Sequence, residues 1–148
     1  MYQTILVGTD GSDTAGAAVR CAIELASKFG ARLHIVSAYE AVSDIRLRDP
    51  SVQVPADLQW IVNPRADVLA MLERAAADAR AARVQAVETF ARQGDAADAI
   101  LDVAEEQRSD LIVVGNRGMT GAKRFLLGSV PNRISHLAPC SVLIVRTT

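Results

Sequence analysis

The stretch Asp110-Leu111-Ile112-Val113-Val114-Gly115-Asn116-Arg117-Gly118 ends an apolar run on two glycines, and nine residues later Gly128-Ser129-Val130 opens what reads as a helix. A run of four apolar residues, Leu111 to Val114, is the signature of a short buried strand. The spacing G-x-x-G, nine residues, G-S therefore sets two unobstructed turns of backbone beside a strand end and a helix N-terminus. Backbone N–H groups in such turns point at anions, and the helix dipole adds partial positive charge. The bland alternative is a glycine-rich surface loop.

Outward from that stretch, strand and helix patterns alternate to both termini. Ile5-Leu6-Val7 is another short apolar run, broken by Gly8-Thr9-Asp10-Gly11-Ser12. Ala15, Ala18, Val19, Ala22, Ala26 and Phe29 then recur at helical spacing, with Ser12 or Asp13 as N-cap and Gly30 as stop. Leu33 to Tyr39 reads as a second strand. A helix is expected over about Ala66 to Ala82, with Val68, Met71, Leu72, Ala75 and Ala79 on one face. Val84 to Ala91 alternates as a third strand, and Asp95 caps a helix that turns Ala97, Ile100, Leu101, Ala104 and Gln107 inward. Asp110 to Val114 is the fourth strand. Ser129 is a natural N-cap for a short helix whose inward face is Val130, Ile134 and Leu137, with Pro131 tolerated in its first turn. Ser141 to Val145 closes the chain as the fifth strand. Glu40 to Arg65 differs in kind, since Pro50, Pro55 and Pro64 interrupt it and no period is sustained. Ile45, Leu47, Val52, Val54, Leu58 and Trp60 argue that it packs on the domain or on a second copy.

Five strands separated by helices imply right-handed crossovers and one doubly wound, Rossmann-like α/β domain over residues 1–148, a parallel sheet with helices on both faces. Ligands bind such sheets outside the carboxyl ends of the strands, where the strand order reverses. If strands one and four flank the reversal, as in the order 3-2-1-4-5, Gly8 to Ser12 and Gly115 to Gly118 face one crevice.

The totals narrow the function. Of 148 residues, 50% are apolar but only 4% aromatic, which suits Ala, Val, Leu and Ile helices packed closely on a parallel sheet. A net charge of −1 recommends neither nucleic acid nor an anionic membrane as partner. No apolar run approaches the roughly 18 residues that span a bilayer. The start at Met1-Tyr2-Gln3-Thr4 carries no signal-peptide pattern, and Cys21 and Cys140 read as reduced structural cysteines, so a cytoplasmic location is expected.

At these residues the chain resembles the universal stress protein family, in its nucleotide-binding branch. The resemblance rests on Ile5-Leu6-Val7-Gly8-Thr9-Asp10-Gly11-Ser12, on the glycine motif from Gly115 through Ser129, and on Pro139-Cys140-Ser141-Val142-Leu143-Ile144-Val145. It implies an adenine-nucleotide site. Gly8, Thr9 and Asp10 would line the base and ribose side, and Ala38 would meet the adenine. Val114, Gly115, Arg117 and Gly118 would follow the ribose and first phosphates, with Gly128, Ser129 and Val130 holding phosphate oxygens. ATP is the expected ligand, with Mg²⁺ as a companion that Asp10 can coordinate. Cyclic AMP stays as the alternative, because Ser129-Val130-Pro131 resembles members that prefer it. The resemblance also implies a homodimer paired through Val142 to Val145.

Asp10 has a second reading as a turn residue flanking the helix. Lys123 and Arg124 can neutralise terminal phosphates or form an exposed basic turn. Catalytic machinery is not visible: His34 and His136 read as structural or solvated, and neither G-x-x-x-x-G-K-[ST] nor G-x-G-x-x-G occurs. A phosphoacceptor receiver shares the plan but needs an Asp ending the third strand and a Lys ending the fifth. The chain has neither. A binding module is therefore expected, with a slow ATPase on the same site as the rival.

Overall fold

Alternate residues of each inner strand are buried on opposite sides, and that alternation builds the molecule. Ile5, Val7, Leu33, Ile35, Leu111 and Val113 join one apolar cluster, while Leu6, Val36, Ile112 and Val114 join another. A strand buried on both faces must lie inside a sheet covered by helices on both sides. The computed structural model describes residues 1–40, 64–116 and 127–147.

The elements are β1 (Thr4–Gly8), α1 (Asp13–Phe29), β2 (Arg32–Tyr39), α2 (Pro64–Ala81), β3 (Val87–Gln93), α3 (Ala96–Glu106), β4 (Leu111–Gly115), α4 (Ser129–Leu137) and β5 (Ser141–Val145). All five strands are parallel, in the order β3-β2-β1-β4-β5. The chain thus winds outward from β1 in one direction, then returns to β1's other side to wind in the opposite one. Helices α1 and α2 contribute Ala18, Val19, Ala22, Leu72 and Ala79 to the first cluster. Helices α3 and α4 contribute Ala97, Ile100, Val103 and Ile134 to the second. The small helix residues let backbones approach the sheet closely, and full burial of each large aliphatic side chain contributes about 1.5–3 kcal/mol.

Between β1 and β4 the register is fixed from outside the ladder. Asp110 accepts the Gln3 N–H at 2.9 Å and the Thr4 N–H at 3.2 Å, and its own N–H donates to Thr4 O at 3.0 Å. This clamp at the amino ends aligns the two strands whose carboxyl ends form the reversal.

Several boundaries differ from the pattern reading. The third strand begins at Val87, three residues after Val84. Val84 is buried for another reason: Arg83 is left-handed at φ 69°, and the Val84 N–H donates to Ala79 O at 3.1 Å. That is a Schellman ending for α2, in which the residue past the left-handed one tucks its apolar side chain against the helix. Phe29 and Leu137, expected inward, are 45% and 58% exposed. Each is the last residue of its helix, where the inward stripe runs past the sheet. Ile23 and Val103 are buried in addition to the residues expected. Residues 41–63, including Trp60, fall outside the described residues.

Candidate functional site

At the carboxyl end of β1 the chain turns through Thr9 to Ser12 under several local constraints. Gly8 is buried, and a Cβ there would lie 2.4 Å from Ile100 Cδ1 of α3. A side chain at this position would therefore have to displace Ile100 from its packing against the sheet. Gly11 has φ +81°, and a Cβ on it would meet Met71 Sδ at 2.6 Å. The Thr9 N–H donates to Val36 O at 3.0 Å, and Thr9 Oγ1 accepts the Gly11 N–H at 3.1 Å.

Asp10 is exposed, and its Oδ1 accepts the Ser12 N–H at 2.9 Å together with the Ser12 hydroxyl. Its reading as a turn residue is therefore correct, and only one of its two oxygens serves that turn. Ser12 Oγ in turn accepts the Ala15 N–H at 3.2 Å and caps α1 as expected. Gly8 is level with Val36 of β2, so Ala38 and Tyr39 extend beyond the end of β1 beside this turn. Ala38 is half-buried against the second cluster.

The end of β4 lies on the other side of β1. Val114 is 3% exposed, with its side chain inside the second cluster, so it can offer a ligand only backbone. Gly115 pairs with Val145. Asn116 leaves the strand, donates its N–H to Val145 O at 2.9 Å and accepts the Gly128 N–H on its own carbonyl at 2.9 Å. That last bond brings Gly128 beside the strand end despite the intervening residues. Arg117, Gly118, Lys123 and Arg124 lie outside the described residues.

Gly128, rather than Ser129, is the N-cap of α4, with φ −62° and ψ 166°, and among the described residues no side chain caps the helix. Ser129 is the first helical residue. The reason is the Asn116 bond: it captures the Gly128 amide and starts the helix one residue earlier than the serine's capping preference suggests. With the Gly128 N–H held by Asn116 and no N–H on Pro131, the first turn presents the amides of Ser129 and Val130. A helix start with donors and no capping oxygen suits an anion.

Helix α4 is tied to α3 through Arg133, whose Nη1 donates to Asp95 Oδ2 at 3.0 Å and whose Nη2 forms an ion pair with Asp98 Oδ1 at 2.6 Å. Asp95 is the α3 N-cap, accepting the Asp98 N–H at 3.0 Å. The glycine-bearing turns thus lie on strands β1 and β4, and α4 begins beside them. A separate groove of about 660 Å³ runs between α1 and α2 and reaches Thr9, Gly11 and Ser12 at one end.

The model of the family described as "Universal stress protein family" matches residues 1–146. The chain belongs to this family. Among its relatives are the universal stress protein YxiE of Bacillus subtilis, 40% identical over 99% of this chain and 100% of that protein, and the universal stress protein Rv1636 of Mycobacterium tuberculosis, 38% identical over 99% of this chain and 98% of that one. A crystal structure of a universal stress protein in complex with cAMP matches with a TM-score of 0.75 at 34% identity, covering 99% of this chain and 98% of that one.

Within this universal stress protein, the remaining titratable candidates stand apart from the reversal crevice. His34 is 5% exposed in β2, its ring edge-on to Phe90 with centroids 5.3 Å apart, and among the described residues its Nδ1 has no hydrogen-bond partner. Burial holds its pKa below the ordinary value. His136 lies on the exposed side of α4 with Nδ1 2.8 Å from Asn132 O. Burial raises the thiol pKa of both Cys21 and Cys140. Among the described residues no group of three or more His, Cys, Asp or Glu is placed to hold a metal, and no helix is long and apolar enough to cross a membrane. Sequence reasoning missed Asn116 as a structural partner, because its contacts reach Gly128 and Thr147 across long sequence separations.

Proposed function

We propose that this universal stress protein binds an adenine nucleotide in the crevice between the carboxyl ends of β1 and β4 and acts as a nucleotide-dependent signalling module. The observation that carries the reading is the helix start at Gly128, drawn to the end of β4 and, among the described residues, without a capping side chain. The amides of Ser129 and Val130 would take phosphate oxygens. Gly8, Thr9 and Asp10 would line the base and ribose, beside Ala38, while the backbone of Val114 and Gly115 would follow the ribose and first phosphates. Arg117 and Gly118 are proposed to continue that path.

ATP is the expected ligand, and the Asp10 oxygen not engaged by Ser12 is a reasonable ligand for an accompanying Mg²⁺. Cyclic AMP is the second reading, favoured by the 34% identical relative solved in complex with cAMP. Two helix-start donors suffice for the single phosphate of that ligand. We assign no catalytic residue.

Mass spectrometry of the purified protein after denaturation tests whether an adenine nucleotide accompanies it, and calorimetry with ATP and cyclic AMP ranks the two. Binding tighter than about millimolar, or about −4 kcal/mol, is expected for one of them. Absence of binding by ATP, ADP, AMP and cyclic AMP at that level sinks the proposal. Steady phosphate release from ATP faster than about 1 per second, the low end for ordinary enzymes, would replace the binding module with an ATPase.

A further inference from the structure

The groove between α1 and α2 brings a sulfur to the turn that follows β1. Met71 of α2 is half-buried, packs on the first apolar cluster and lines the groove of about 660 Å³ with Val19, Ile23 and Ala75. Its Sδ would lie 2.6 Å from a Cβ on Gly11, which places the sulfur within about 4.1 Å of the Gly11 α-carbon, given a carbon–carbon bond of about 1.5 Å. Gly11, at φ +81°, thus rests on a thioether, and the contact exists because glycine has no side chain. The same turn carries two residues of the proposed site. The Gly11 N–H donates to Thr9 Oγ1 at 3.1 Å, and Asp10 Oδ1 accepts the Ser12 N–H at 2.9 Å.

We propose that Met71 is an oxidation site for hydrogen peroxide, and that its sulfoxide loosens the turn from Thr9 to Ser12 and weakens ligand binding beside it. The effect on the ligand rests on the nucleotide reading of the crevice. In the reaction a sulfur lone pair attacks one peroxide oxygen, the O–O bond breaks and an S–O bond forms. The other oxygen leaves with both protons as water, so sulfur gives up the two electrons that peroxide takes. A thioether needs no deprotonation for this step. The thiols do: burial, the larger cause at each, raises the pKa of Cys21 and Cys140 and keeps the reactive thiolate scarce. The groove gives peroxide a path to Met71, and the product no longer suits its place. A sulfoxide oxygen pressed into the apolar cluster is a polar group buried without a donor, so the S–O dipole turns toward the groove and the sulfur leaves Gly11. Gly11 then shifts within the turn that fixes Thr9 and Asp10.

The test treats the full chain with hydrogen peroxide and maps the oxidised methionines by peptide mass spectrometry. The Gly11 amide is followed by NMR, and ATP and cyclic AMP binding by calorimetry. Met71 in the folded protein is expected to oxidise at a rate comparable to that of Met1, which is fully exposed, and independent of pH near neutrality. The Gly11 signal should shift in step with Met71 oxidation, and affinity should fall about fivefold, a change of about 1 kcal/mol. Methionine sulfoxide reductases, one for each epimer, should restore both. Met71→Leu removes the sulfur at similar volume, so its affinity, whatever the starting value, should not respond to peroxide. Met71→Gln sets a polar group against Gly11 without oxidant and should bind as weakly as the oxidised wild type, an independent check should Met71→Leu fail to fold.

Met71 left unoxidised when Met1 is fully converted overturns the site. Complete Met71 sulfoxide with the Gly11 signal and the affinity both unchanged overturns its reach to the turn, as does an equal peroxide response in Met71→Leu, which would place the lesion at another residue. The nucleotide reading fails separately: if the untreated protein binds no adenine nucleotide, the ligand is wrong, and peptide mapping with the Gly11 signal alone decides whether Met71 is an oxidation site that reaches the turn.

Discussion

Gly128 and Gly8 are both glycines of the proposed site, but they are glycine for different physical reasons. A side chain at Gly8 would run into Ile100 of α3, so Gly8→Val disturbs packing and fold together. Gly128 has φ −62° and ψ 166°, a conformation open to any residue. Gly128→Val should therefore keep the fold, with a melting temperature within a few degrees of wild type, while the added methyl groups block approach to the amides of Ser129 and Val130. Calorimetry should show a loss of affinity of about tenfold or more, equivalent to about 1.4 kcal/mol; unchanged affinity would remove the helix start from the site. His34 offers a residue-scale prediction about stability. Burial, the dominant cause, keeps its imidazole neutral below the ordinary histidine value, with Glu88 opposing that shift and Arg32 adding to it. Below about pH 6.5 the unfolded chain binds a proton that the folded chain resists. The contribution is then complete above that pH and is lost as pH falls toward the lower folded value. Replacing the ring by His34→Leu also removes the unpartnered Nδ1. Thermal melts at pH 7.5 and pH 5.5 should show a smaller drop for His34→Leu than for wild type, and an equal drop would place the acid sensitivity elsewhere.

At the scale of elements, helix starts and stops were legible where a residue's own chemistry decides them. Ser12 and Asp95 cap α1 and α3 through their side-chain oxygens, and Gly30 ends α1 in the left-handed region. The glycines and apolar runs likewise placed β1, β4 and β5. The ends of α2 and α3 fall within a residue of the expected Ala82 and Gln107, but what closes them was not legible, because Arg83 and Arg108 occupy left-handed positions at φ 69° and φ 52° that sequence patterns expect glycine or asparagine to fill. The burial of Val84 then imitated a strand start. The Gly128 cap was hidden for another reason: both glycine and serine suit that position, and the Gly128 amide is taken by the Asn116 carbonyl, a partner far from it in sequence. The arginine ends make a direct prediction. Left-handed geometry costs a residue with a Cβ about 1 kcal/mol, so Arg83→Gly and Arg108→Gly should each stabilise the protein by about 0.5–1 kcal/mol despite glycine's greater freedom when unfolded. Urea titration reads this as a higher midpoint at unchanged slope. A lower midpoint in both would show that the arginine side chains hold contacts worth more than the strain.

For the whole molecule, the winding leaves β3 and β5 as the two edges of the sheet, and the two are differently exposed to association. The β3 edge carries Glu88 and Arg92, and Arg92 forms a two-pronged pair with Glu106 of α3 at 3.1 and 2.7 Å. Charge on an edge strand discourages pairing with another sheet. The β5 edge is Ser141-Val142-Leu143-Ile144-Val145, with no charge, and Leu143 is 37% exposed. An uncharged apolar edge with unpaired backbone groups is a template for a second strand, and a second copy of β5 across a two-fold axis satisfies both edges at once. We accordingly expect a dimer in solution through this strand. A charge at its exposed side chain should prevent pairing without touching the core, since Val142 and Ile144 carry the contacts to the second cluster. Light scattering at micromolar concentration should give the dimer mass for wild type and the monomer mass for Leu143→Glu, with similar circular dichroism. A wild-type monomer would rule out this edge as an interface, and a Leu143→Glu dimer would move the interface elsewhere. Because Asn116 binds Val145 and Thr147, a dimer through β5 would adjoin the residue whose carbonyl accepts the Gly128 N–H. Separating the copies should then alter Gly128 exchange in Leu143→Glu, even though Leu143 lies outside the proposed nucleotide crevice.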